Sequence, residues 1–179
     1  MMALSTIFIN WQVAAALSAL PIAVQSDIPS TPDGPAIATA EMVTSIISYS
    51  RWDNSPQTIR LCVTGTSATV GRIESQRLRD GRNIVVVHLA PSAASPTSCE
   101  VIYIGQMAPP DRARLINRLG NSTLTLTDAD PNCDYGAAFC LHSTPQGLTF
   151  DLNIDAVARS RIRVDPRVLR LGRLGGSQR

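Results

Sequence analysis

Four cysteines, two histidines and a run of arginines are the residues of this chain whose types and spacing could do chemistry. Cys62, Cys99, Cys133 and Cys140 are separated by 37, 34 and 7 positions. An even cysteine count with no C-x-x-C pair is what an exported domain held by two bridges would show. Zinc is a competing reading, but it needs close ligand pairs, and His88 and His142 complete no ligand pattern. Free thiols are the third. All 16 basic side chains are Arg and none is Lys. That excludes the lysine of a phosphate-binding loop and every Schiff-base mechanism that uses a lysine.

The remaining motifs point away from catalysis. G-x-S-x-G and H-E-x-x-H are absent. Gly65 and Gly71 lie in VTGTSATVG, a strand-to-helix turn of the kind that receives phosphates in doubly wound sheets, but G-x-G-x-x-G is missing and the glycines read as turn formers. Asp128, Asp130, Asn132 and Asp134 alternate as the ligands of a calcium loop do. Cys133 stands where that loop needs glycine and Phe139 where it needs glutamate, so a solvated turn is the better reading. His88, inside an apolar run, reads as a core or edge histidine. No cofactor, metal ion or catalytic residue is expected, and the protein reads as a non-enzyme.

The elements that must position these residues follow from periodicity. Ile37, Met42, Val43, Ile46, Ile47 and Tyr49 recur at helical spacing and predict a first helix from Ala36 to Trp52. Ile59–Val63 reads as a strand and Ala68–Arg79 as a helix. Ile84–Leu89 and Val101–Ile104 read as strands, Pro109–Leu119 as a helix with Leu115, Ile116 and Leu119 inward, and Leu124 with Leu126 as a fourth strand. Strands apolar on both faces and alternating with helices indicate an α/β fold, a mostly parallel sheet flanked by helices in the flavodoxin or receiver manner. Phe139–Leu141 and Leu148–Ile154 flank a turn at 145–147 and predict a C-terminal antiparallel hairpin. Short terminal helices complete the fold. Asp155 is a candidate cap for the first, ending at Arg159. Asp165 followed by Pro166 starts the second, which runs to about Leu171 with Val168, Leu169 and Leu171 as its buried face.

Composition sets the compartment and the charge. Residues 1–23 hold no charged side chain and read as an export signal ending near residue 24. A membrane span is the alternative, but Asn10, Gln12 and Pro21 suit it poorly. Residues 25–35, QSDIPSTPDGP, read as a flexible leader, and one domain is expected over 36–175. Residues 1–154 carry 9 Arg against 12 acids, whereas 155–179 carry 7 Arg against 2. The basic tail could meet nucleic acid, anionic lipid or an acidic protein surface. Export disfavours nucleic acid, and a solvated helix face is the plain alternative.

From Ile46 to Leu174 the chain resembles the YfiR family of periplasmic repressors. The resemblance is carried by SIISYSRWDN, by the strand LCVTG, by EVIYIG before a helix, and above all by the close FDLNIDAVARSRIRVDPRVLRLGRL. It implies a periplasmic protein that binds the sensor portion of an inner-membrane diguanylate cyclase and holds cyclic di-GMP synthesis, and with it biofilm formation, down. It also implies release by an outer-membrane lipoprotein in some systems, and a homodimer. Matching cysteine positions imply Cys62–Cys99 and Cys133–Cys140 bridges, and in a flavodoxin-like order the strand of Cys62 does lie beside the strand that Cys99 precedes. Arg163, Arg167, Arg170 and Arg173 are the expected partner contacts. The alternative function is a periplasmic small-ligand-binding domain feeding another sensor or transporter.

Overall fold

The computed structural model describes residue 28 and residues 30–74, 77–90, 98–144 and 147–172. The expected export signal, residues 25–27 and 29 of the leader, residues 145–146 of the hairpin turn and Arg173 lie outside the described residues.

Helix α1 (Gly34–Ser48) opens with Pro35 in its first turn, where a missing N–H costs nothing. Gly34 and Pro35 are therefore helical. Ala38, Met42, Val43, Ile46 and Ile47 are buried on it, and so are Thr39, Thr44, Ser45 and Ser48. Buried hydroxyls are satisfied locally, with Thr39 Oγ1 donating to the Pro35 carbonyl at 2.8 Å and Ser48 Oγ to that of Thr44 at 2.9 Å. The helix stops at Ser48, short of the predicted Trp52, because Ser50–Arg51 turns into a two-residue strand, β1.

The main sheet consists of β2 (Thr58–Thr64), β3 (Asn83–His88), β4 (Val101–Ile104), β5 (Leu124–Thr127), β6 (Phe139–Thr144) and β7 (Gly147–Leu152), in the spatial order β3-β2-β4-β5-β6-β7. All neighbours are parallel except β6 and β7, which form the antiparallel hairpin. With β1 set apart this is the doubly wound order of the α/β class.

Between β2 and β3 lies only a five-residue helix, α2 (Val70–Glu74), where the spacing predicts one from Ala68 to Arg79. The apolar residues still point inward, with Ile73 and Leu78 buried. Tertiary bonds replace the rest of the helix: Arg79 N donates to Ser48 Oγ at 3.1 Å, and Gly81 at φ +83° turns the chain into β3. Helix α3 (Pro109–Arg118) follows β4.

The strands divide the interior. On one face α1 and α2 pack against Leu61, Val63, Val101, Tyr103, Leu124 and Leu126, and Phe139 of β6 meets Phe150 of β7 edge to face, with centroids 5.2 Å apart. On the other, Leu115 of α3 packs with Cys62, Cys99, Ile102 and Ile104.

After β7 the chain closes the domain. Helix α4 (Ile154–Arg159) is capped by Asn153, whose Oδ1 accepts from Ala156 N at 2.9 Å. Asp155, the expected cap, lies within the first turn of the helix instead. Strand β8 (Arg163–Val164) pairs with β1, Ser50 opposite Val164 and Arg51 opposite Arg163. A 3-10 turn (Pro166–Val168), capped by Asp165, runs into helix α5 (Leu169–Gly172). Val168 is buried, but Leu169 is 41% exposed. The 3-10 turn shifts the side chains about the axis relative to the α-helical phase from which Leu169 was expected inside. No helix among the described residues is long and apolar enough to cross a membrane.

Candidate functional site

Doubly wound sheets take ligands beyond the carboxyl ends of the strands, where connections leave to opposite faces. Here that point lies between β2 and β4, and backbone fills it. Thr66 N donates to the Gln106 carbonyl at 3.1 Å, Gln106 N returns to the Thr66 carbonyl at 2.9 Å, and Gly105 N donates to the Thr64 carbonyl at 2.9 Å. The two glycines make the contact possible. A Cβ on Gly65, at φ +77°, would lie 2.8 Å from the Gln106 carbonyl oxygen, and one on Gly105 would lie 2.4 Å from that of Thr66. Gly65 is thus a seam glycine, and Gly71 lies inside the five-residue α2.

Beside this seam the Tyr103 hydroxyl is buried near Asp128, Thr69 and Ser67, without a hydrogen bond of ordinary geometry to any of them. Burial pushes both the Tyr103 hydroxyl and the Asp128 carboxyl above their usual pKa ranges; for Asp128 the Tyr103 hydroxyl and the Arg112 charge oppose the shift. Arg112 is itself buried, with its guanidinium carbon 5.2 Å from the Tyr135 ring centroid. Asp130 accepts from Asp134 N and Tyr135 N at 3.2 and 3.1 Å, so it shapes a turn. No cluster of three metal-ligating side chains occurs among the described residues.

The cysteines are bonded as Cys62–Cys99 and Cys133–Cys140, with Cα separations of 5.8 and 5.6 Å. The first joins β2 to the chain just before β4. The second closes the turn that carries Tyr135. His88 ends β3 at the sheet edge, 3.6 Å from Glu74. His142 lies on β6, its Nδ1 3.9 Å from Asp151.

Charge gathers around open space at the seam between α1 and the closing segment. A cavity of about 480 Å³ is lined there by Tyr49, Arg51, Arg79, Asp80, Arg163, Asp165 and Arg167, with Val164 and Pro166 supplying apolar wall. The β1–β8 pair builds it by bringing the end of the first helix against a segment far along the chain. Asp80 organises the inner side, with Arg82 Nη2 at 2.7 Å and Arg51 Nη1 at 3.2 Å from its Oδ2. Burial raises the Asp80 pKa, but the Arg82 hydrogen bonds and the charges of Arg82 and Arg51 outweigh it and hold the carboxyl below its usual range. Arg82 also donates to the Ile47 and Ser50 carbonyls at 2.9 and 3.1 Å and stacks 5.5 Å from the Trp52 ring centroid.

On the outer side Arg167 grips Asp165 at 2.6 Å and lies 5.9 Å from the Tyr49 ring centroid. Side-chain and backbone hydrogen bonds from Arg167 lower the Asp165 pKa to about 2. Both acids are thus already paired. Arg79 and Arg163 have no ion pair among the described residues. The cavity wall therefore carries two arginines without an ion pair among the described residues together with the Tyr49 side chain, a lining suited to a planar group bearing an anion.

Of the arginines expected at a partner surface, Arg163 and Arg167 line the cavity, Arg170 is exposed on α5 away from it, and Arg173 lies outside the described residues. Arg51, Arg79 and Asp80 were not singled out by the sequence. Tyr49 at the end of the first helix, with Arg51 two residues on, was the available signal.

Together these features define a disulfide-stapled, doubly wound α/β domain with a sealed strand-end crevice and a cationic groove at its closing seam. Residues 37–173 match the YfiR/HmsC-like family, and the chain belongs to that family.

Proposed function

We propose that this protein acts in the periplasm as a non-enzymatic repressor, binding the periplasmic portion of an inner-membrane diguanylate cyclase and lowering cyclic di-GMP and biofilm formation. The observation that carries the reading is the family match over 37–173, which includes the arginine-bearing closing segment. Two disulfides and the uncharged N-terminal stretch support an exported protein. Arg163, Arg167, Arg170 and Arg173 are the proposed contacts, the first two lining the groove. An outer-membrane lipoprotein that captures the repressor is the proposed release, and the active form is a homodimer.

Regulation of this kind needs no catalytic group, only a difference in affinity between two states of the cyclase. Lowering the active fraction of a cyclase that is about 90% active tenfold takes a preference of about 2.7 kcal/mol for the inactive state. Deleting the gene should raise cellular cyclic di-GMP and surface attachment, and periplasmic expression should restore the low level where cytoplasmic expression does not. Unchanged cyclic di-GMP on deletion, with the cyclase demonstrably produced, overturns the reading.

The groove favours a second reading, a domain that binds a small anionic ligand and reports to another sensor or transporter. A ligand that raises the melting temperature of the purified protein, and loses that effect in Arg163→Ala, would move this reading to the front.

A further inference from the structure

A second cavity, of about 300 Å³, opens where the ends of α3 and α4 meet the turn closed by Cys133–Cys140. It shares no described lining residue with the groove. Its apolar wall is small, supplied by Ile116, Leu119 and Ala156 together with the Tyr135 side chain. That tyrosine is held in place without any ligand. The disulfide closes its turn, Asp130 accepts from Tyr135 N at 3.1 Å, and the Arg112 guanidinium carbon lies 5.2 Å from the ring centroid.

The rest of the lining is polar, and four of its groups have hydrogen-bonding capacity left over. Thr125 is 7% exposed, and its Oγ1 accepts from Ala138 N at 2.7 Å. The hydroxyl proton of Thr125 has no acceptor among the described residues, so this buried group is still free to donate. The Asn117 and Asn121 amides and the Arg159 guanidinium likewise have no hydrogen-bond or ion-pair partner among the described residues. Other hydroxyls of the same wall are already taken up, Thr123 Oγ1 by the Cys99 carbonyl at 3.1 Å and Ser160 Oγ by the Val157 carbonyl at 2.8 Å. No carboxylate stands among the described lining residues, so Arg159 gives the cavity one uncompensated positive charge.

This balance selects the ligand. Sites for apolar molecules are lined mostly by hydrophobic and aromatic side chains around a few polar groups. Here a single aromatic side chain shares the cavity with two amides, a buried hydroxyl and a guanidinium, and the volume is at the small end of the range for ligand sites. A pyranose ring has the matching features. Its C–H face can lie on an aromatic ring, its hydroxyls give and accept hydrogen bonds as amides do, and a carboxylate on it pairs with a guanidinium through two parallel bonds. We propose that this cavity binds one sugar ring bearing a carboxylate, a uronic acid, taken either free or as a unit of an acidic polysaccharide. An uncharged sugar leaves Arg159 without its anion, and a carboxylate on an apolar ring leaves the amides and the Thr125 hydroxyl unpaired. The proposal stands apart from the repressor reading, because the site shares none of the arginines assigned there.

The test is calorimetric titration of the oxidised full-length protein with glucuronic acid, with glucose and cyclohexanecarboxylic acid as the probes that lack the charge and the hydroxyls. Glucuronic acid should bind, and each of the other two should bind at least about tenfold more weakly, the loss expected for charge-assisted hydrogen bonds. Arg159→Ala should remove the preference for glucuronic acid over glucose with an unchanged melting temperature, since Arg159 is exposed. Tyr135→Phe, which keeps the ring, should bind as the wild type does, and so should Arg163→Ala in the groove. An oligogalacturonate that binds more tightly than galacturonic acid makes the natural source a polysaccharide, and equal affinity makes it the free sugar acid; both support the site. Absence of glucuronic acid binding, equal affinity for glucose, or a loss of binding in Arg163→Ala that Arg159→Ala does not share overturns the proposal.

Discussion

The backbone N–H of Asp165 donates to the Tyr49 carbonyl at 2.9 Å, sewing the closing segment to the end of the first helix. The bond extends the two-residue β1–β8 ladder by one step and sets the width of the groove. Asp165 also caps the 3-10 turn, its Oδ1 accepting from Arg167 N at 2.9 Å. The closing segment is therefore tied through a carboxylate that must stay ionised.

Acid should loosen that tie. The Asp165 pKa falls to about 2 in the folded protein, so the native state binds a proton more weakly than the unfolded chain does. The contribution is complete above the unfolded pKa of about 4 and is lost as pH falls toward 2. Asp165→Asn should melt lower than the wild type at pH 7, and the gap should close between about pH 4 and pH 2 in thermal scans.

Asp128 should act with the opposite sign. Burial lifts its folded pKa above the unfolded value, so its protonated form favours folding and its contribution is lost as pH rises through the raised value. Asp128→Asn should melt above the wild type at pH 7 and match it below about pH 4. Equal melting temperatures across that range would leave Arg112 and Tyr103 as full compensation for the burial.

The two bridges should differ in weight. Loop entropy assigns about 4 kcal/mol to Cys62–Cys99 and about 2.5 kcal/mol to Cys133–Cys140, from sequence separations of 37 and 7. Replacing both cysteines of the first pair by Ala should lower denaturant stability more than replacing both of the second. The second pair should instead disturb the turn that presents Tyr135 to Arg112, read as a loss of near-ultraviolet tyrosine signal.

Neighbouring residues of the closing segment should separate cleanly. Val168→Ala removes buried methyl groups and should cost on the order of 2 kcal/mol, because Val168 is 1% exposed. Leu169→Ala, at 41% exposure, should cost under about 1 kcal/mol. Chemical denaturation of the two variants distinguishes this packing from a helix in which both side chains are inside.

The sequence by itself determined a mostly parallel sheet flanked by helices, because Ile84–Leu89, Val101–Ile104 and Leu124–Leu126 are apolar at successive positions, a pattern that strands covered by helices bury. It also carried the hairpin and the Asp165–Pro166 start, both written in local turn and cap chemistry. What it could not carry was decided by contacts distant in the chain. The second helix is short because Arg79 and Arg82 find partners on α1, and the first helix stops early because Ser50–Arg51 meets Arg163–Val164. Leu169 turns outward because the segment before it coils as a 3-10 turn. The groove exists only in the folded protein, since Arg51, Arg79 and Arg163 are scattered along the chain and share no periodicity. Local propensity is summed along the chain, whereas a cavity and its charge pattern depend on which distant residues the packed core brings together.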